Sequence, residues 1–97
     1  MRQYDVVRLK GGELAVIVQS DLLDGFLTRV IVPLIPASEL VPTPLLHPCL
    51  RLGRRELVLA MEQILAVRLA DIEKVIGSAR GLEYEIQRAY DMVLAGI

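Results

Sequence analysis

Val18–Leu34 reads VQSDLLDGFLTRVIVPL, and this stretch decides the fold. Val18 and Gln19 end an almost continuous apolar run, Leu14–Gln19, of the kind found in a strand covered on both faces. Ser20–Phe26 then breaks the apolar pattern. Asp21, Asp24 and Gly25 favour turns, and Ser20 and Asp21 can bond back to the backbone. Thr28–Leu34 resumes as a β-branched strand closed by Pro33. The first run is expected to be a central strand, and Thr28–Leu34 a second strand beyond the loop.

Working outward, Gln3–Leu9 reads as a strand and Lys10–Glu13, with two glycines, as the turn that follows it. Five prolines between Pro33 and Pro48 predict an irregular loop. The segments flanking Gly53, HPCLRL and RELVLAM, read as a hairpin, and Leu65–Ala70 as a short strand. From Ser78 the period changes. Leu82, Ile86, Ala89, Tyr90, Val93, Leu94 and Ile97 fall on one face of a helix, with Ser78 as its expected N-cap and Glu83 and Glu85 in an early turn. The expectation is one domain over residues 1–97: a mainly β body closed by a C-terminal amphipathic helix whose stripe packs on the sheet.

Composition sharpens this reading. Hydrophobic residues make up 54% of the 97, and mean hydropathy is +0.48. A domain this small buries only a little over ~60% of its unfolded surface. The apolar excess, together with the tail DMVLAGI, therefore predicts a homodimer with the last helical turn near its two-fold axis. No apolar run approaches the ~18 residues of a membrane span, and Asp5 and Arg8 interrupt the only early apolar stretch. A cytoplasmic protein without membrane contact is expected.

Eleven basic side chains face twelve acidic ones, for a net charge of −1, and aromatic residues are scarce. Neither a basic groove nor a stacking platform is expected, so direct nucleic-acid binding is not predicted. Arg51, Arg54 and Arg55, with Glu56 beside them, read as a solvated hairpin end. His47 and Cys49 are too few ligands for zinc, and Cys49 reads as a small buried hydrophobe. No phosphate loop, nucleophile elbow or His beside a nucleophile is present. Neither a cofactor nor a catalytic residue is predicted, and the chain reads as a non-enzyme.

The block Gln19, Ser20, Asp21, Leu22, Leu23, Asp24, followed by Arg29, Ile31, Val32, Pro33 and Leu34, resembles CcdB-type toxins, the DNA gyrase poisons of toxin–antitoxin modules. The terminal Gly96-Ile97 fits the same family. The resemblance implies an SH3-like, CcdB/MazF-like β-barrel with a C-terminal helix, assembled as a homodimer. It further implies a toxin that binds the A subunit of DNA gyrase, a type II topoisomerase. A cognate antitoxin with a disordered C-terminal tail would neutralise it. By position, the implied gyrase contacts are Leu22, Leu23, Arg88, Asp91, Leu94, Ala95, Gly96 and Ile97, and Leu22 and Leu23 would also meet the antitoxin. The family carries a Trp where this chain has Ala95, and typically an Asn where it has Asp91. Two alternatives stand beside this reading: a family homologue whose gyrase activity is lost or altered and which mainly binds an antitoxin, and a MazF-like endoribonuclease using Thr28-Arg29.

Overall fold

The computed structural model describes residues 1–96. Seven strands form one antiparallel sheet: β1 (Asp5–Leu9), β2 (Leu14–Ile17), β3 (Thr28–Pro36), β4 (Cys49–Leu52), β5 (Arg55–Leu59), β6 (Leu65–Arg68) and β7 (Ile72–Ser78). The order is β4-β5-β3-β2-β1-β7, and β6 pairs with the first half of β3. β3 is the organiser. Its residues Ile31–Leu34 pair with β2, Thr28–Ile31 with β6 and Leu34–Pro36 with β5. β2 and β3 pair antiparallel, with Val16 opposite Val32 and Ile17 opposite Ile31.

The sheet curls into a half-barrel. Its two edge strands approach each other where the Leu52 side chain rests on Gly77. A Cβ at Gly77 would come within 2.9 Å of the Leu52 Cδ1, so glycine permits the closure. One apolar cluster fills the concave side, with Val6, Val16, Val32, Leu57, Leu59 and Met61 among its members. A second, built from Val7, Ala15, Ile17, Ile31 and Ile72, lies on alternate positions of the same strands. β2 is buried at all four positions, as expected of a strand covered on both faces.

The helix α1 (Glu83–Ala95) covers the first cluster with Ile86 and Ala89, backed by Leu82 and Val93. Glu83 and Glu85 complement the positive end of its dipole. Gly96 ends it in the left-handed conformation, φ 73°, its N–H donating to the Met92 carbonyl.

Three expectations are corrected, and one strand appears that none of them covered. Pro33–Pro36 is strand, because Pro33 loses only a donor: its carbonyl still accepts from the Ala60 N–H at 3.0 Å. Residues 72–78 form a strand that the sequence pattern hides. Ser78 ends that strand instead of capping α1, and its Oγ accepts from the Arg80 N–H at 3.2 Å. Cys49 is exposed, on the outward face of β4 with Arg51. No described helix is long and apolar enough to cross a membrane.

Candidate functional site

The loop between β2 and β3 is short, exposed and internally braced. Ser20 Oγ accepts from the Leu22 N–H at 3.2 Å and starts a single 3₁₀ turn, Asp21–Leu23. Gln19, which is buried, spans the loop's base: its Nε2 donates to the Leu23 carbonyl at 2.9 Å and its Oε1 accepts from the Val30 N–H at 3.0 Å. Arg29 is buried as well. Its guanidinium donates to the carbonyls of Asp24, Phe26 and Thr28 at 2.8, 2.6 and 2.9 Å. Asp21 ties the loop to the N-terminus by accepting from the Gln3 N–H at 2.8 Å.

With the polar groups turned inward, the apolar ones are left outside. Leu22 is 93% exposed, Leu23 46%, and Phe26 and Leu27 also face solvent. An apolar group held in water by a rigid frame is a marked cost in a small protein, and exposed apolar surface of this kind is a mark of binding sites.

Across from the loop lies α1, and between them runs a cleft of about 460 Å³. Leu23 forms part of the loop-side wall, Ile86, Gln87, Tyr90 and Asp91 form the helix side, and Tyr4 and Val18 contribute from the sheet. Tyr4 is a buried residue with an unusual positive φ of 71°, fixed by bonds from its N–H to the Ile17 carbonyl and from the Ala79 N–H to its own carbonyl. Its hydroxyl accepts from Gln87 Nε2 at 3.3 Å.

Of the residues predicted by resemblance, Leu23 and Asp91 line the cleft. Leu22 stands beside Leu23 in solvent. Arg88 is not among the cleft-lining residues; its guanidinium lies over the Tyr84 ring at 5.4 Å. Leu94 is 58% exposed, and Ala95 and Gly96 are exposed at the end of α1. Ile97 lies outside the described residues. Gln3, Tyr4, Gln87 and Tyr90 escaped the sequence reading. Tyr90, whose spacing puts it on the apolar stripe, is 40% exposed and lines the cleft, while nothing in the sequence announces the left-handed backbone of Tyr4.

Elsewhere, Arg51, Arg54, Arg55 and Glu56 are exposed around the β4–β5 turn. His47 is buried and committed: Nδ1 accepts from the Thr43 N–H at 2.9 Å and Nε2 meets the Glu62 carboxylate at 2.9 Å. Among the described residues no group of three or more His, Cys, Asp or Glu side chains is gathered as a metal site.

The model of the CcdB protein family matches residues 3–96. The chain belongs to the CcdB family. This CcdB family member also resembles solved toxins in fold. A mycobacterial endoribonuclease in complex with its cognate antitoxin aligns over 97% of this chain and 94% of its own, with a TM-score of 0.79 and 14% identity. A mycobacterial endoribonuclease aligns over 97% and 90%, with a TM-score of 0.81 and 14% identity. MazE–MazF (form II) from Deinococcus radiodurans aligns over 98% and 95%, with a TM-score of 0.76 and 16% identity. No curated protein matches the chain in sequence.

At these identities the likeness establishes the fold. It also corrects one expectation. The sequence reading excluded an enzyme, yet solved proteins of this fold are endoribonucleases, so a CcdB-like half-barrel gives no ground for that exclusion.

Proposed function

We propose that this CcdB family member is the toxin of a type II toxin–antitoxin pair, a homodimer that binds and inhibits the A subunit of DNA gyrase until an antitoxin removes it. The observation that carries the reading is a braced loop bearing exposed Leu22 and Leu23, faced across one cleft by Ile86, Gln87, Tyr90 and Asp91 of α1, with Leu94 exposed farther along the same helix. Such a surface binds by desolvating apolar side chains that are already held in place, so little ordering cost falls on the toxin at association. Leu22, Leu23 and Leu94 are the apolar anchors. Asp91 sets the charge of the helix bank, and Gly96, left-handed at φ 73°, would let the backbone turn against the partner. The antitoxin tail would compete for Leu22 and Leu23.

Ala95 sets the strength of the gyrase contact. An aromatic ring in a desolvated contact is a common hot spot, worth ~2 kcal/mol or more. Its absence leaves a roughly thirtyfold weaker grip at ~1.4 kcal/mol per decade.

A second reading, an RNA-cleaving toxin, has the named endoribonuclease neighbours in its favour. Arg29 is not free to serve it, since three backbone carbonyls hold its guanidinium. One experiment separates the two. The protein is incubated with gyrase from the same organism and supercoiled DNA, and separately with total RNA. Binding to the gyrase A subunit, with loss on Leu22→Ser, supports the gyrase reading. RNA cleavage without gyrase binding overturns it in favour of the ribonuclease.

A further inference from the structure

We propose that His47 is an acid-released latch on the proline-rich loop, residues 37–48, between β3 and β4. With a neutral imidazole the ring holds the loop closed, and a proton at Nδ1 opens it. The latch lies outside the cleft between the Ser20–Leu27 loop and α1 and does not depend on the toxin reading.

The loop has little else to hold it. Pro42, Pro44 and Pro48 have no N–H to donate. From Leu40 to Leu45 the backbone donates one hydrogen bond among the described residues, from the Thr43 N–H to His47 Nδ1 at 2.9 Å. The Thr43 carbonyl accepts in return from the N–H groups of Leu46 and His47 at 3.2 and 3.0 Å. These bonds stay within the turn. Beside the apolar contact of Leu46 with the core, the tie to the body is the other ring nitrogen. His47 Nε2 lies 3.0 and 2.9 Å from the two carboxylate oxygens of Glu62, in the 3₁₀ turn Met61–Gln63.

These two partners fix where the ring carries its proton. A backbone N–H only donates, so Nδ1 must offer Thr43 a lone pair, and the neutral ring holds its proton on Nε2 and donates it to Glu62. An imidazolium has a proton on each nitrogen. Its Nδ1–H would meet the Thr43 N–H, donor against donor. The Thr43 bond is the one that yields. The Glu62 bond becomes charge-assisted and therefore stronger, whereas Thr43 is exposed and its freed N–H turns to water. The His47 side chain is only 4% exposed, so the new Nδ1–H finds an acceptor only when the turn moves aside. The closed turn thus binds one proton fewer than the open one, and falling pH favours the open form.

Strain and surroundings agree. Leu45, inside the turn, has a positive φ of 70°, a conformation that a leucine adopts at a cost and keeps only where its neighbours impose it. Opening the turn relieves it and rearranges Val41 and Leu45, the exposed apolar side chains of the loop. The titratable groups in described contact with His47 are Glu62 and the Cys49 thiol, whose Sγ donates to the His47 carbonyl at 3.7 Å. α1 lies against the same 3₁₀ turn, and its Glu83, Glu85, Arg88 and Asp91 make no described bond to His47 or Glu62.

The test is a pH titration of the isotope-labelled full chain followed by NMR. His47 is the one histidine of the sequence, so the imidazole nitrogens report it alone. The expected result is an Nε2–H tautomer at neutral pH. On acidification the imidazole nitrogens and the amides of Val41, Thr43 and Leu45 should move together in one transition, while the core amides of Val16, Val32 and Leu57 stay in place. Glu62→Gln keeps an acceptor for Nε2–H and removes the charge that favours the imidazolium. It should therefore leave the loop closed at neutral pH and displace the transition to lower pH. The proposal is overturned by an Nδ1–H tautomer at neutral pH, by a Thr43 amide that does not follow the imidazole, by core amides that move in the same transition, or by a transition that Glu62→Gln leaves unmoved. Because Glu62 is half-exposed, the variant is expected to fold, and the titration of the unmodified chain decides the first three outcomes without it.

Discussion

Arg29 reaches back across its own loop to hold Asp24, its guanidinium donating to the Asp24 carbonyl at 2.8 Å. Two further carbonyls, of Phe26 and Thr28, complete its coordination, and no described carboxylate pairs with it. A buried charge satisfied only by main-chain oxygens is a structural brace. Replacing it leaves those carbonyls short of a donor. Arg29→Met is expected to cost about 3 kcal/mol. At ~4–8 °C per kcal/mol for a domain of this size, the melting temperature should fall by roughly 12–24 °C. Thermal melts followed by circular dichroism check this, and a shift of only a degree or two would show that water replaces the guanidinium.

Leu22 and Leu23 should behave differently from core leucines. Leu22 is 93% exposed, and a serine there loses almost no buried area. Leu22→Ser is expected to change stability by no more than ~0.5 kcal/mol, and Leu23→Ser, half-buried against the cleft, by about 1 kcal/mol. Both should weaken gyrase or antitoxin binding by more than tenfold. Denaturant unfolding together with binding measurements on the same variants separates the two effects. A steep loss of stability with Leu22→Ser would make it a core anchor after all.

The parts of the fold with a regular period were legible in the sequence. β2 and β3 announce themselves by unbroken apolar runs, and α1 by its stripe through Ile86 and Ala89. β7 was not legible because its pairing with β1 shifts register twice, between Val6 and Val7 and between Arg8 and Leu9. Each shift moves the alternation by one, so IEKVIGS shows no clean period of two, with Ile72 buried but Val75 exposed. Residue type alone points to a buried Cys49, and the structure places it outside. The alternation Cys49, Arg51 outward and Leu50, Leu52 inward is visible in the sequence and should have outweighed it. The site was half legible. Leu23 and Asp91 came from resemblance, whereas Tyr4 and Gln87 enter the cleft through a hydrogen bond between the two ends of the chain that no local pattern encodes.

Acid should act on one ion pair outside the cleft. Arg68 Nε and a second guanidinium nitrogen both donate to the Asp71 carboxylate at 3.0 Å. The hydrogen bond from Arg68 is the main reason the Asp71 carboxyl titrates below its ordinary range. A carboxyl whose pKa is lower folded than unfolded stabilises the fold above its unfolded pKa and loses that contribution as pH falls through the folded one. The pair should therefore be intact at neutral pH and break only below the usual carboxylate range. Both side chains are solvent-exposed, so the effect on stability should be slight. The measurable quantity is the Asp71 titration itself, followed by NMR, and Arg68→Gln should move its midpoint upward.

The end of α1 offers the sharpest test of the gyrase reading. Ala95 is the last helical residue, exposed, and it is followed by Gly96 in the left-handed conformation. A side chain added at Ala95 projects from a finished helix end beside exposed Leu94, so Ala95→Trp should leave the core and the melting temperature unchanged. What it adds is a large apolar face and a ring that can stack on a guanidinium, each worth ~1–2 kcal/mol when desolvated. If the surface formed by Leu22, Leu23, Leu94 and the chain end still fits gyrase, the unmodified protein should trap little cleaved DNA and Ala95→Trp should trap much more, with a gain of roughly thirtyfold in effective concentration. The assay compares both proteins at matched concentration with gyrase from the same organism. Strong trapping by the unmodified protein would refute the assignment of a weakened grip to Ala95. No gain from the ring would show that Asp91 and Arg88 have turned this helix face toward a different partner.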